Sequence, residues 1–137
     1  MKKNITILGC IILLAATSCT KQYVSPGTTN QTVYANVTPA DWTLYTDNNG
    51  SRSYSAPINI SLLSSNFAQI GGTIVAVSYD GGKTYEQLPE VYANVSYSFT
   101  YNAGNLTLYT QSADGTTPIQ PTLPIVVKII LVDSNTN

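Results

Sequence analysis

The chain has 137 residues, with six Lys and Arg, seven Asp and Glu, no histidine, and charged side chains making up only 9% of it, against about 25% in ordinary soluble proteins. A charge set this thin excludes the clustered basic surface that nucleic acid or an anionic membrane requires. The missing imidazole also removes the commonest general base and metal ligand, and no cofactor is implied.

The first stretch has the order of an export signal. Lys2-Lys3 is followed by a mostly apolar run from Ile5 to Leu14 and then by small residues before Cys19. The run is shorter than the roughly 17 to 25 residues of a transmembrane helix, so removal is expected in place of a span. Ala16-Thr17-Ser18-Cys19 resembles the bacterial lipobox, with Ala16 where that motif most often has leucine. The resemblance implies cleavage before Cys19, a diacylglycerol on its sulfur and acylation of its new amine. Ile7-Leu8-Gly9-Cys10 fits the same four-residue pattern. A cut there would leave only about four hydrophobic residues where roughly 7 to 15 are needed, which favours Cys19. Cleavage separates the two cysteines and leaves a single exported thiol, which acylation accounts for.

Removing residues 1–18 leaves 119 of the 137 residues and takes Lys2 and Lys3 with it, so the mature chain is more acidic. That length suits one domain. Residues 19–31 carry Pro26-Gly27 and no hydrophobic period, and read as a flexible tether holding the domain roughly 20 Å from the lipid. In some bacteria of the phylum this sequence suggests, acidic residues just after the lipidated cysteine mark export to the cell surface. Thr20-Lys21-Gln22 carries none, which favours the periplasmic side of the outer membrane over the surface.

From residue 32 to 137 strand signals recur at short intervals. Val33, Ala35 and Val37 alternate with polar neighbours, and Trp42 to Tyr45 follows Pro39. After an Asp- and Asn-rich turn, Tyr54, Ala56, Ile58, Ile60 and Leu62 share a face. Pro57 cannot donate to a ladder and marks an edge or bulge. Ser64 to Gln69 has the form of one capped helical turn ended by Gly71-Gly72. Thr73 to Tyr79 is apolar on both faces, and Tyr85 to Leu88 is expected to return beside it. Val91, Ala93, Val95, Tyr97, Phe99 and Tyr101 alternate as one strand, and Asn102 to Asn105 is a hairpin turn into Leu106 to Thr110. Pro118, Pro121 and Pro124 require an irregular loop before the last strand, Ile125 to Val132, where Lys128 marks an edge or a snorkelling stem. The pattern specifies an all-β fold, an antiparallel β-sandwich of about seven strands, immunoglobulin-like in outline. The Cys, Trp and Cys pattern of a true immunoglobulin domain is absent.

Ser78-Tyr79-Asp80-Gly81-Gly82-Lys83-Thr84-Tyr85 resembles the Asp-box, Ser-x-Asp-x-Gly-x-Thr followed by an aromatic. The expected role is structural: Asp80 accepts backbone N–H groups, Gly82 supplies positive φ, and Tyr85 folds back into the core. Sialidases carry several such boxes on propeller blades, yet one copy builds no propeller, and Arg52 alone supplies no arginine cluster. The carboxylates fall mostly in turns and form no recognisable acid and base pair. Asp80, Glu86 and Glu90 could make only a weak oxygen-rich calcium site, and solvated turn carboxylates are the stronger reading, so no metal is expected.

Ten tyrosines and Trp42 invite a carbohydrate-binding reading. Tyr54, Tyr97 and Tyr101 fall on apolar strand faces, leaving Tyr34, Tyr45, Tyr92 and Trp42 as surface aromatics, with Trp42 and Tyr92 the candidate ligand contacts. From Trp42 onward the order of features resembles a group of small uncharacterised lipoproteins of Bacteroidota. The features are Trp42, Gly72 with Val75 to Tyr79, Tyr85 with Leu88-Pro89, and Val126-Val127-Lys128-Ile129-Ile130; Tyr85 stands where Trp is commoner. The resemblance implies an envelope lipoprotein and transfers no site residue. The sequence therefore leads to a non-enzymatic module, held at the membrane by lipid on Cys19, that contacts an envelope protein or, alternatively, a glycan of polysaccharide uptake. Lipidation is expected to give a mature chain of raised mass in the membrane fraction, whereas Cys19→Ala leaves the chain unmodified and off the membrane, as fractionation and intact mass spectrometry would read.

Overall fold

The computed structural model describes residues 30–134. The strands are β1 (Gln31–Val37), β2 (Thr43–Thr46), β3 (Arg52–Asn59), β4 (Gly72–Ser78), β5 (Glu86–Gln87), β6 (Glu90–Tyr92), β7 (Val95–Asn102), β8 (Asn105–Ser112) and β9 (Ile125–Val132), with one helix, α1 (Ser65–Ile70). They form two antiparallel sheets, a four-stranded one in the order β1-β9-β4-β5 and a five-stranded one in the order β2-β3-β8-β7-β6. The fold is the all-β sandwich the strand pattern implies; β5 lies beside β4 within the expected Tyr85 to Leu88 stretch, and the brief β6 is added to the expected set.

Period-two alternation decides which side chains meet between the sheets. In β9, Ile125, Val127, Ile129 and Leu131 are buried while Val126, Lys128, Ile130 and Val132 are half-buried on the outer face. Opposite them lie Ala56, Leu106, Leu108 and Tyr97 of the five-stranded sheet. Thr110 is fully buried in this layer, and its hydroxyl donates to the Ile119 carbonyl at 2.7 Å. That bond and the one from Gln120 Nε2 to the Pro39 carbonyl at 3.0 Å fasten the proline-rich loop to the sandwich.

Several local expectations hold. Ser64 caps α1 by accepting the Phe67 N–H at 3.1 Å. At the other end a Cβ on Gly71 would lie 2.7 Å from the Phe67 ring, so only glycine lets the chain pass that close. Pro57 lies beyond the β2 register, which ends at Ser55, so its missing N–H falls where β3 has no neighbour on that side.

Other expectations are corrected. Lys128 is not on an edge, because β9 runs between β1 and β4. Leu62 is exposed and Leu63 is buried in its place, since β3 ends at Asn59 and a turn follows. The alternation from Val91 to Tyr101 is two strands, not one. Ala93 and Asn94 both take positive φ, at 47° and 64°, and make the two-residue turn of a β6-β7 hairpin with Tyr92 opposite Val95. Such a turn reverses the side-chain parity, so Val91 points outward and Tyr92 joins the core-side face.

Trp42 is likewise no surface residue. Thr38 and Asp41 close a 3-10 turn over Pro39–Asp41, with the Asp41 carboxylate accepting the Thr38 N–H at 2.7 Å, and the chain leaves it with Trp42 only 3% exposed in the core cluster. Trp42→Ala is therefore expected to cost about 3–5 kcal/mol of stability. Leu123→Ala, on an exposed side chain, should stay within about 0.5 kcal/mol, and thermal denaturation of the two variants separates these outcomes.

Candidate functional site

The Asp-box-like hairpin links the end of β4 to β5. Asp80 Oδ1 accepts the Thr84 N–H at 2.9 Å, the Lys83 N–H at 3.0 Å and the Ser78 hydroxyl at 2.7 Å. Ser78 Oγ in turn accepts the Gly82 N–H at 2.8 Å, and Gly81 and Gly82 take φ of 77° and 92°. The Thr84 N–H, the Ser78 hydroxyl and the Lys83 N–H hold the Asp80 carboxyl well below its ordinary value of 3.8. Three hydrogen bonds of its own loop thus converge on Asp80 Oδ1. Tyr85 does not fold into the core as expected. It lies on the outer face of the four-stranded sheet, with Lys128 Nζ 4.1 Å from its ring centroid and the Tyr34 ring 6.5 Å away.

A second, shorter knot of the same kind follows β8. Asp114 Oδ1 accepts the Ser112 hydroxyl, the Thr116 N–H at 3.1 Å and the Thr116 hydroxyl at 2.8 Å, around Gly115 at φ 73°. Sequence reasoning missed it, although Ser112-x-Asp114-Gly115-Thr116 carries the same signal as Ser78-x-Asp80-Gly81 in compressed form.

Where the chain crosses from β5 to β6 through the cis Leu88-Pro89 bond, four polar groups close the side of the sandwich. The Tyr79 hydroxyl donates to Glu90 Oε1 at 2.8 Å. Its ring stacks on Tyr92 at 4.1 Å and 10°, and meets Tyr97 edge-on at 5.6 Å. Glu86 reaches the Glu90 carboxyl, and burial together with that neighbour raises Glu90 from its ordinary 4.5. Burial above all, and then Glu90, raise the Tyr79 phenol. So Tyr92, a candidate ligand contact, has one ring face covered by Tyr79, and Trp42, the other, is buried elsewhere. Glu86 and Glu90 come together while Asp80 stays in its hairpin; among the described residues no three acidic or thiol groups gather to hold a metal.

The two outer sheet faces differ. On the five-stranded sheet, the outward residues are Thr43 and Tyr45 of β2, Ser53, Ser55, Pro57 and Asn59 of β3, Asn105, Thr107, Tyr109 and Gln111 of β8, Ser96, Ser98, Thr100 and Asn102 of β7, and Val91 of β6. None is charged. Tyr45 and Tyr109 lean towards each other across β3 with ring centroids 5.6 Å apart, and the buried Ser55 lies on the strand between them. The Tyr109 and Thr100 hydroxyls meet at 3.3 Å. The composition of this face was visible in sequence; the pairing of Tyr45 with Tyr109 required the β2-β3-β8 order. On the four-stranded sheet the outward residues include Ile74, Ile130, Val132, Val126 and Tyr34, an apolar surface with Lys128 at its middle. A pocket of about 260 Å³ lies beside α1, lined by Gln31, Leu62, Phe67, Leu131 and Asp133 among others, away from the paired carboxyls.

Comparison with protein-family models, with curated proteins and with solved structures gives no match. Asp80 and Glu90 are shifted in opposite senses. Asp80, held low, contributes stability that is present above about pH 4 and is lost as pH falls through its folded value; Glu90, held high, favours the fold when protonated, and that contribution is lost as pH rises through its folded value. Asp80→Asn should therefore flatten the acid limb of the stability profile, and Glu90→Gln should raise the melting temperature at pH 7–8 but not at pH 4; thermal melts across pH check both.

Proposed function

We propose that the chain is a lipid-anchored, non-enzymatic binding module of the cell envelope, and that it binds a neutral glycan on the outer face of the five-stranded sheet. The observation that carries this reading is the combination on one face of hydroxyls, amides, two adjoining aromatic rings and no charge. A sugar presents hydroxyls around its rim and apolar C–H groups on its faces. Ser53, Ser98, Thr100 and Gln111 can exchange water for such hydroxyls, while Tyr45, 42% exposed, and Tyr109 offer ring surface to the C–H face. With no ionic group to desolvate, a neutral polymer pays no charge-burial cost on this face.

The anchor supports the same reading, because a tethered module needs only modest affinity when its ligand is a repeating polymer. The carboxylates support it from the other side. Asp80 and Asp114 are bound up in turns, and Glu86 with Glu90 close a sandwich edge, so none of the four stands beside the Tyr45 and Tyr109 face.

A protein contact is the second reading, favoured by the apolar surface of Ile74, Ile130 and Val132 on the other sheet. A broad array of neutral glycans separates the two. Retention of a neutral glycan that falls at least about 10-fold in Tyr45→Ala and in Tyr109→Ala, with Ile130→Asp unaffected, is the expected result. Silence across the array would sink the glycan reading.

A further inference from the structure

Of the four sheet edges, three are blunted in the usual ways. β5 has two residues and carries Glu86, β6 has three and carries Glu90, and β2 has four. β1 is different. It is seven residues long, keeps an unbroken register with β9 from Gln31 opposite Leu131 to Val37 opposite Ile125, and contains no charge, no proline and no bulge. The alternate N–H and C=O groups that point away from β9 have no hydrogen-bond partner among the described residues. A long, flat, neutral edge with its backbone groups free is a template for another strand.

We infer that β1 pairs antiparallel with β1 of a second copy of this chain, joining two four-stranded sheets into one. The strand is its own complement about Tyr34. With the two-fold axis at that residue, Gln31 faces Val37, Thr32 faces Asn36, Val33 faces Ala35 and Tyr34 faces Tyr34, so all seven residues of each strand are used. This register keeps parity. Val33, Ala35 and Val37, which face the core, continue the core side of the joined sheet, and Thr32, Tyr34 and Asn36 continue its outer side. No pair brings like charges together, since the strand carries none. The contact is isologous and closes on itself, so it stops at two copies. Tyr34, 61% exposed, sits on the axis and gains cover from its own symmetry mate.

Disulfide trapping in the full-length chain, purified from membranes, tests the pairing and its register. Opposed residues in antiparallel strands lie about 4.5–5.5 Å apart at Cα, within the span of a disulfide. Tyr34→Cys should therefore yield a covalent dimer on mild oxidation. Thr32→Cys should not, because two copies of residue 32 would sit about 14 Å apart, whereas the double variant Thr32→Cys with Asn36→Cys should. The unaltered chain, treated alike, controls for Cys19. Light scattering of the detergent-solubilised protein should give two copies for the unaltered chain and one for Tyr34→Lys, whose facing ammonium groups repel at the axis while the melting temperature stays unchanged. No dimer with Tyr34→Cys, equal trapping at Thr32→Cys alone, or a single copy for the unaltered chain would overturn the inference.

Discussion

The four-stranded sheet exists only because its last strand in the chain, β9, is inserted between its first two, β1 and β4. β9 is apolar except for Lys128 and pairs with β1 on one side and β4 on the other. Until it arrives, β1 and β4 have no ladder partner but the two residues of β5, and Val75, Val77 and Val37 have nothing of that sheet beside them. The closure joins the two ends of the described chain, so the entropy of ordering the whole intervening loop precedes the hydrophobic gain. That burden explains why all four core-facing residues of β9 are large aliphatics, and why its outer face is half apolar as well: the strand must be adhesive before the sandwich exists.

With few charges available, the protein uses its carboxylates as turn fasteners. Asp47 Oδ1 accepts the Asn49 and Ser51 N–H groups beside Gly50 at φ 83°, and Asp80 and Asp114 do the same in their loops. Asp41 accepts from Thr38 at the 3-10 turn. In each case an anionic oxygen collects N–H groups that a turn leaves without backbone partners. Asp41, Asp80 and Asp114, held this way, are depressed in pKa, so three of the seven acidic residues are committed to turns. The exception is Glu90, whose raised pKa arises because it is placed against Tyr79 and Glu86 at the edge where the chain passes between sheets.

Most of the architecture was legible because alternation is a direct statement of which face is buried. β1, β3 and β8 show it, β4 and β9 were legible as apolar runs, and the helical turn announced itself through Ser64 and Gly71. The errors at Val91 and Trp42 share one physical origin, chain reversals too brief to leave a compositional trace. Ala93-Asn94 reverses parity with only one residue of turn-forming type, so Val91, expected on the core face, points outward. The 3-10 turn before Trp42 rotates it inward by an amount no period reveals. Tyr85 failed differently: its distance from β4 in sequence was right for folding back, yet the Asp80 knot delivers it to the outer face, over Lys128. The pairing of Tyr45 with Tyr109 was not legible for a further reason, since the two become neighbours only through the order in which strands pair.

The two sheets thus divide the labour of facing the outside by opposite means. The five-stranded sheet meets water with hydroxyls and amides, which bind weakly to many polar ligands and repel none, and its edges are a four-residue and a three-residue strand. The four-stranded sheet keeps aliphatic side chains outward and a bare seven-residue edge, so its unspent attraction is both lateral, through backbone groups, and facial, through Ile74 and Ile130. A single chain carrying both would gain from satisfying them separately: one surface for a hydrated ligand, where exchange of hydrogen bonds with water keeps affinity low and reversible, and one edge for a permanent neighbour, where each added strand pairs N–H and C=O groups that water otherwise occupies. Because the edge and the hydroxyl-rich face belong to different sheets, occupation of one leaves the other open, and joining two copies through β1 would present two hydroxyl-rich faces on one assembly.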